Sequence, residues 1–124
     1  MLTPKEMCDI AVKTLDAKKA ENIKVLKTHD VTVLADYFII CTAGNTTHIK
    51  TLSDEVEKAL ADQGERPLRT EGYHGGGWIL VDFGCLVVHI FTEEARSFYD
   101  LERLWGDAHQ VDLSGVLTGE QAEE

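Results

Sequence analysis

Two apolar, β-prone segments stand only two residues apart between residues 77 and 91, and this arrangement restricts the fold more than any other feature of the chain. The first segment reads GWILVD (77–82) and the second reads CLVVHIF (85–91), with Phe83-Gly84 between them. Segments of this composition joined by two residues predict an antiparallel β-hairpin. With the turn at Phe83-Gly84, the expected facing pairs are Asp82 with Cys85, Leu80 with Val87, and Trp78 with His89.

Alternation within the two segments sorts their side chains onto two faces of the predicted hairpin. A shift of the turn by one residue would change the facing pairs but not this sorting. One face is purely aliphatic and is expected to face the core: Ile79, Val81, Leu86, Val88 and Ile90. The other face is aromatic and partly polar, and it needs a helix of this chain, a second copy or a partner to cover it: Trp78, Leu80, Asp82, Cys85, Val87, His89 and Phe91.

The chain before the hairpin alternates between helical and extended patterns. Thr3-Pro4-Lys5-Glu6 combines an N-cap, a proline at the first helical position and the glutamate of a capping box, so a helix is predicted there. Strands are predicted near residues 23–28, 37–42 and 67–73, and a second helix between Gly44-Asn45-Thr46 and Gly64. This order predicts an α/β fold, a single compact domain with a mixed β-sheet of about five strands packed with helices.

Acidic residues outnumber basic ones, and the excess is concentrated late in the chain. The net charge is −10, and residues 106–124 hold five acids and no Lys or Arg. We therefore predict a folded domain at residues 1–106 and a disordered acidic tail at residues 107–124. The absence of an evident Lys/Arg patch in the sequence argues against direct, sequence-specific nucleic-acid binding. The charge would favour a basic protein partner, although simple solubility explains it as well.

Three features of the sequence favour a cytoplasmic protein. No apolar run approaches the roughly 18 residues needed to span a membrane. The opening residues MLTPKEMCDI have neither the basic nor the apolar region of a signal peptide. The three cysteines (Cys8, Cys41 and Cys85) are widely spaced and odd in number, which favours reduced, mostly buried thiols.

The sequence contains no catalytic constellation with the required spacing. Gly44-Asn45-Thr46 could receive a phosphate at a helix N-terminus, but no Lys follows as in a P-loop, and no Asp-x-Asp pair follows to hold catalytic metals. The five histidines lack zinc-ligand spacing. A pair formed by His89 with Cys41 or Cys85 would be inert, because burial raises a thiol pKa. We expect no enzymatic activity, no cofactor and no metal.

The segment after the hairpin, TEEARSFYDLERLW at residues 92–105, places aromatics among carboxylates. Thr92 is a suitable N-cap, Glu93 and Glu94 suit the first helical turn, and Asp100 can cap a further turn. Aromatic residues among charges are typical of interaction hot spots, but core packing explains any single one of them equally well. The residues alone leave these two interpretations open.

A series of motifs in this chain resembles the ribosomal silencing factor family, also called Iojap-like. The motifs are ADYF (35–38), TAGN (42–45), EG (71–72), GW (77–78), VHIF (88–91), EE (93–94), FYDLE (98–102) and LWGDA (104–108). The resemblance runs from about Thr3 to Ala108, and the last motif is the most distinctive. The chain departs from the family at His74-Gly-Gly-Gly77, where charged residues are commoner.

The resemblance implies a domain with a nucleotidyltransferase-like shape but without the catalytic carboxylates, and a function without catalysis. Members of the family bind the large ribosomal subunit through ribosomal protein L14, sterically block joining of the small subunit and so repress translation. They are also associated with large-subunit assembly and can form homodimers. Two alternatives stay open: a degenerate nucleotidyltransferase-like nucleotide-binding protein, and a dimeric interaction module for another basic protein.

We expect the partner-binding surface to combine apolar anchors with carboxylates. Desolvated aromatic anchors supply affinity, whereas carboxylates at the rim mainly set association rate and salt dependence. The expected anchors are Trp78, Leu80, His89, Phe91, Phe98, Tyr99, Leu101, Leu104 and Trp105, and the expected carboxylates are Asp82, Glu93, Glu94, Asp100 and Glu102.

Overall fold

The computed structural model describes residues 2–27, 35–75, 77–100, 103 and 109–110. These residues form three helices: α1 (Pro4–Ala17), α2 (Thr46–Ala61) and α3 (Glu93–Tyr99). They also form five strands of three to seven residues and a sixth of two: β1 (Glu21–Lys27), β2 (Tyr37–Ala43), β3 (Arg69–Glu71), β4 (Trp78–Asp82), β5 (Leu86–Thr92) and β6 (His109–Gln110).

The strands make one mixed sheet in the order β3-β4-β5-β2-β1-β6. The central pair, β2 with β5, is parallel, and the other neighbouring pairs are antiparallel. The predicted α/β fold with a mixed sheet is confirmed. Strand β6 pairs with Leu26 and Lys27 of β1, so the sheet includes two residues from the range predicted as tail. Residues 107–108 and 111–124 lie outside the described part of the chain, and the tail stays a prediction.

Helix α1 begins with the predicted capping box. The Thr3 hydroxyl accepts a hydrogen bond from the Glu6 backbone N–H at 3.1 Å, and the Glu6 carboxylate accepts one from the Thr3 N–H at 2.9 Å. Two donors that a helix start would leave unsatisfied are therefore satisfied reciprocally. The helix then buries one face, formed by Met7, Cys8, Ala11, Val12 and Leu15.

Helix α2 is tied at its start both to strand β2 and to helix α1. Asn45 is its N-cap and accepts a hydrogen bond from the His48 N–H at 2.8 Å. His48 Nδ1 accepts from the Gly44 N–H at 2.8 Å, and its Nε2 lies 2.8 Å from the Lys18 carbonyl oxygen. Since Nδ1 acts as acceptor, Nε2 is the donor to Lys18. One imidazole thus joins the end of α1 to the β2–α2 turn.

The main core lies between helices α1 and α2 and one face of the sheet. The aliphatic face of the predicted hairpin belongs to this core, and the sorting of its side chains is confirmed. Each of Ile79, Val81, Leu86, Val88 and Ile90 is completely buried there, together with Ile49, Leu52, Val56 and Leu60 of α2. Truncating one of these large side chains to alanine typically destabilises a protein by about 2–5 kcal/mol.

The predicted register of the hairpin was wrong by one turn position. The Phe83 N–H donates to the Leu86 carbonyl at 2.8 Å, which makes Gly84-Cys85 the two-residue turn. Gly84 has φ +90° at the first turn position, where such hairpins favour glycine, and Asp82 accepts from its N–H at 2.8 Å. The observed facing pairs are Asp82 with Val87, Leu80 with His89, and Trp78 with Phe91.

The new register also corrects the position of Cys85. This residue was expected on the aromatic face, but it lies in the turn and packs against the main core. Its Sγ is 3.6 Å from Met7 Sδ on helix α1. The alternation rule did not apply to it because a turn residue does not follow the pleat of a strand.

Candidate functional site

A connected set of aromatic rings runs from the second face of the sheet to the surface of helix α3. The ring centroids of Phe38 and His89 are 5.1 Å apart, those of Trp78 and His89 are 5.8 Å apart, and those of Trp78 and Phe91 are 5.1 Å apart. Trp78 also contacts Tyr99 at 4.7 Å, and Tyr99 contacts Phe98 at 5.1 Å. We call these six residues the aromatic cluster: Phe38, Trp78, His89, Phe91, Phe98 and Tyr99.

Hairpin register and helix capping together assemble the cluster. Trp78 and Phe91 face each other across strands β4 and β5, and such cross-strand aromatic pairs contribute roughly 0.2–1 kcal/mol. Thr92 then ends β5 and caps α3 by accepting from the Ala95 N–H at 3.4 Å. Because α3 follows β5 without an intervening loop, Tyr99 at its end is brought back over Trp78.

Arg96 anchors helix α3 to the end of the sheet. Its Nη1 donates to the Asn22 carbonyl at 2.6 Å and to the Thr42 hydroxyl at 2.9 Å. These contacts connect a helix that has no fully buried residue of its own to strands β1 and β2. The orientation of the aromatic residues on α3 therefore depends on a polar anchor as well as on ring packing.

Exposure rises along the cluster from the sheet to the helix. Phe91 is 0% exposed and His89 is 4% exposed, Trp78 is half-buried, and Tyr99 and Phe98 are 46% and 81% exposed. The inner rings support the outer ones, and the outer rings are free to contact another molecule. Phe98 and Tyr99 are exposed side by side, and contiguous exposed apolar groups of this kind mark interaction surfaces.

His89 is a buried, neutral hydrogen-bond acceptor within the cluster. The Trp78 indole N–H donates to His89 Nδ1 at 3.2 Å. Burial lowers the pKa of His89 to about 4, and the charge of Asp82 opposes this shift only weakly. The imidazole is therefore neutral near pH 7, with its proton assigned to Nε2 by the bond at Nδ1. Within the described part of the chain, Nε2 has no hydrogen-bond partner.

The predicted carboxylates divide into two groups. Glu93, Glu94 and Asp100 are exposed on or directly after helix α3, the helix that carries Phe98 and Tyr99. Asp82 lies at the opposite end of β4 from Trp78, where its carboxylate accepts from Arg69 Nε at 3.2 Å. The structure thus places three of the predicted carboxylates beside the outer aromatic residues and places Asp82 elsewhere.

The remaining predicted site residues have different positions. Leu80 is half-buried and packs beside the buried residues of the second face, which include Leu26, Ile40 and Val87. Leu101, Glu102, Leu104 and Trp105 lie outside the described residues.

Sequence reasoning missed two residues of this site, Phe38 and Arg96. Phe38 lies in an apolar run with no alternation of polarity, so its face could be assigned only once the parallel pairing of β2 with β5 was known. Arg96 was assigned no role, because its contact with Asn22 joins distant parts of the chain and leaves no local signal in the sequence.

A cleft of about 990 Å³ lies at the carboxyl ends of the parallel strands β2 and β5 and includes Glu93 and Glu94 in its lining. Nucleotides bind at this location in many α/β folds. The described residues that line it are Gly44, Asn45, Thr46, Gly77, Thr92, Glu93, Glu94 and Ser97. The charged members of that set are both carboxylates, which would repel a phosphate group. The lining therefore opposes the nucleotide-binding alternative.

The described residues also lack other features of a catalytic site. They contain no group of three or more His, Cys, Asp or Glu residues placed to hold a metal ion. Burial raises the pKa of the Cys8 and Cys41 thiols to about 12, so neither is a ready nucleophile.

No helix in the described ranges is both long and apolar enough to cross a membrane.

Comparison with known proteins connects this chain to one family. A family model described as "Ribosomal silencing factor during starvation" matches residues 2–124. A ribosomal silencing factor of Halalkalibacterium halodurans is 37% identical over 117 residues, which cover 94% of this chain and 100% of that protein. A mouse protein named "Mitochondrial assembly of ribosomal large subunit protein 1" is 30% identical over 100 residues, 78% of this chain and 44% of its own length.

A solved structure has the same fold. The crystal structure of a protein from Chromobacterium violaceum superposes with a TM-score of 0.83 at 32% sequence identity, covering 85% of this chain and 88% of that one.

Proposed function

This chain belongs to the ribosomal silencing factor family, and from that premise we propose that it represses translation by binding the large ribosomal subunit through ribosomal protein L14. Bound there, it sterically blocks joining of the small subunit. This mechanism needs a surface of high affinity and no catalytic group. We further propose that it acts in the cytoplasm, aids large-subunit assembly and forms homodimers. The name of the mouse relative, which refers to large-subunit assembly, supports the choice of that subunit.

The observation that carries this proposal is the exposed end of the aromatic cluster with carboxylates around it. Phe98 is 81% exposed and Tyr99 is 46% exposed, on a helix that also carries Glu93 and Glu94. Aromatic anchors surrounded by polar groups are typical of hot spots in protein interfaces. The net charge of −10 complements the basic character that is usual in ribosomal proteins.

The residues of the surface have different parts in the proposal. Trp78, Phe98 and Tyr99 are the anchors, and the buried His89 and Phe91 support them from below. Glu93, Glu94 and Asp100 attract the basic partner. Leu80, Leu101, Glu102, Leu104 and Trp105 complete the proposed contact set, whereas Asp82, at the far end of β4 from Trp78, stands outside it.

Sedimentation with purified ribosomal subunits tests the proposal. The protein is expected to sediment with isolated large subunits and not with small subunits, and adding it should reduce the yield of joined ribosomes. Phe98→Ala should weaken binding roughly thirtyfold, which corresponds to about 2 kcal/mol. The fold should be unaffected, since Phe98 is largely exposed.

Leu68→Ala is the matched control. Leu68 is a second large apolar side chain with high exposure, 74%, but it lies beside Asp82 at the far end of β4 from Trp78. The Leu68→Ala variant should bind large subunits as tightly as the unmodified protein does. Failure of that protein to bind large subunits at low salt would refute the proposed function. Equal losses of binding in Phe98→Ala and Leu68→Ala would show that the aromatic cluster is not the binding surface.

A further inference from the structure

His89 is an unusual residue for its position in the sheet. It is 4% exposed, and the rings of Phe38, Trp78 and Phe91 surround it. Its neighbours on the same face of β5, Val87 and Phe91, are apolar. A buried imidazole with one unpartnered nitrogen is less favourable there than an aliphatic side chain of similar size, because its polar atom has lost water without gaining a partner.

The hydrogen bond from Trp78 indicates what the imidazole contributes. An indole N–H is a donor only, and the Trp78 side chain is half-buried. The bond at 3.2 Å fixes the rotation of the indole about its side-chain torsions. Tyr99, 4.7 Å away between ring centroids, rests on that indole, so the position of the indole determines the position of the exposed tyrosine.

We propose that His89 is a positioning residue of the binding surface: as a neutral acceptor it holds the Trp78 indole, and through it Tyr99, in the arrangement that the partner contacts. The inference rests on the proposed function, since it concerns the same surface. A side chain that is fixed before binding loses less conformational entropy in the complex, and this raises affinity without adding a contact. In this proposal His89 favours binding at the expense of folding stability.

Two substitutions at position 89 separate positioning from packing. His89→Leu fills the site with an aliphatic side chain and removes the acceptor. It should unfold at the same or a higher urea concentration than the unmodified protein, yet bind large ribosomal subunits roughly fivefold to tenfold more weakly. His89→Asn places an amide oxygen near the position of Nδ1 but leaves its amino group buried. It should be less stable than His89→Leu and bind more tightly.

The distinguishing result is that His89→Leu is the more stable of the two variants but the weaker binder. If His89 had only a packing role, the more stable variant would also be the better binder. Trp78→Phe removes the donor, so adding His89→Leu to it should weaken binding no further. An additional loss in that double variant would overturn the inference.

An NMR measurement tests the hydrogen bond without ribosomes. The chain has two tryptophans, Trp78 and Trp105, so two indole N–H signals are expected and Trp78→Phe assigns them. The Trp78 signal should move upfield and exchange faster with water in His89→Leu, and should keep most of its protection in His89→Asn.

Each outcome decides between the proposals. An indole signal that does not change in His89→Leu would overturn the positioning role, as would a changed signal with unchanged subunit binding. In both cases binding by the unmodified protein would leave the proposed function intact. Absence of binding by the unmodified protein would instead refute the proposed function, and the inference with it.

Discussion

Mild acid should destabilise this protein through His89. Burial lowers the pKa of that imidazole from 6.5 to about 4 in the folded protein, whereas the unfolded chain keeps the ordinary value. Above pH 6.5 both states are neutral at this residue and folding has its full stability. As the pH falls from 6.5 towards 4, the unfolded state takes up the proton first, and the free energy of unfolding decreases.

The magnitude follows from the size of the shift. A difference of about 2.5 pH units, at 1.36 kcal/mol per unit, corresponds to about 3 kcal/mol lost by pH 4. That is a large fraction of the 5–15 kcal/mol typical of a small domain. Well below pH 4 both states carry the proton, and the contribution of His89 becomes constant.

Urea unfolding at pH 7, 6, 5 and 4, followed by circular dichroism, measures this effect. Carboxylates titrate in the same range, so His89→Leu serves as the reference: it lacks the imidazole but keeps every carboxylate. The difference in unfolding free energy between the two proteins should widen by about 3 kcal/mol from pH 7 to pH 4. Parallel pH profiles would show that His89 is not buried as a neutral group, and would refute the reasoning.

Two further predictions concern backbone strain and charge. Gly72→Ala should lower the unfolding free energy by about 3 kcal/mol in urea titrations, because Gly72 has φ +81° and a methyl group there would collide with the Trp78 carbonyl oxygen. Gly64 also has a positive φ, +87°, but open space around it, so Gly64→Ala should lower the unfolding free energy by only about 1 kcal/mol. Equal losses in the two variants would contradict the steric explanation. Glu94→Gln should slow association with large ribosomal subunits at low salt by a few fold and change the dissociation rate little, as stopped-flow fluorescence can determine. Asp62 is an exposed carboxylate at the far end of α2, so Asp62→Asn should leave both rates unchanged.

Local patterns in the sequence were sufficient to predict most of the elements and the sorting of side chains in the hairpin. Capping depends on interactions between neighbouring residues, so the caps Thr3 and Thr92 were visible in the sequence, and the cap of α2 was narrowed to Asn45 or Thr46, of which Asn45 is the one observed. Alternation in β4 and β5 likewise depends only on the pleat of each strand. These predictions are confirmed because no distant contact competes with them.

Features set by distant contacts could not be predicted in the same way. The hairpin register depended on whether Gly84 took the first or second turn position, and both fit the pattern of polarity. The place of Phe38 in the aromatic cluster required the pairing of β2 with β5. The contact of Arg96 with Asn22 joins residues 74 positions apart. The assignment of individual contact residues to a partner stays a prediction.

The parallel pairing of β2 with β5 has a consequence for the synthesis of the protein. Tyr37 pairs with Leu86, about 50 residues later in the chain. At roughly 5–20 residues per second, a nascent chain waits several seconds between the emergence of β2 and that of its central partner. During that interval β2 can pair with β1 on one side only, and its apolar sequence YFIICTA presents an open edge. Until β5 emerges, that open edge can pair with another chain, so the late synthesis of β5 sets the interval in which the nascent protein is exposed to aggregation.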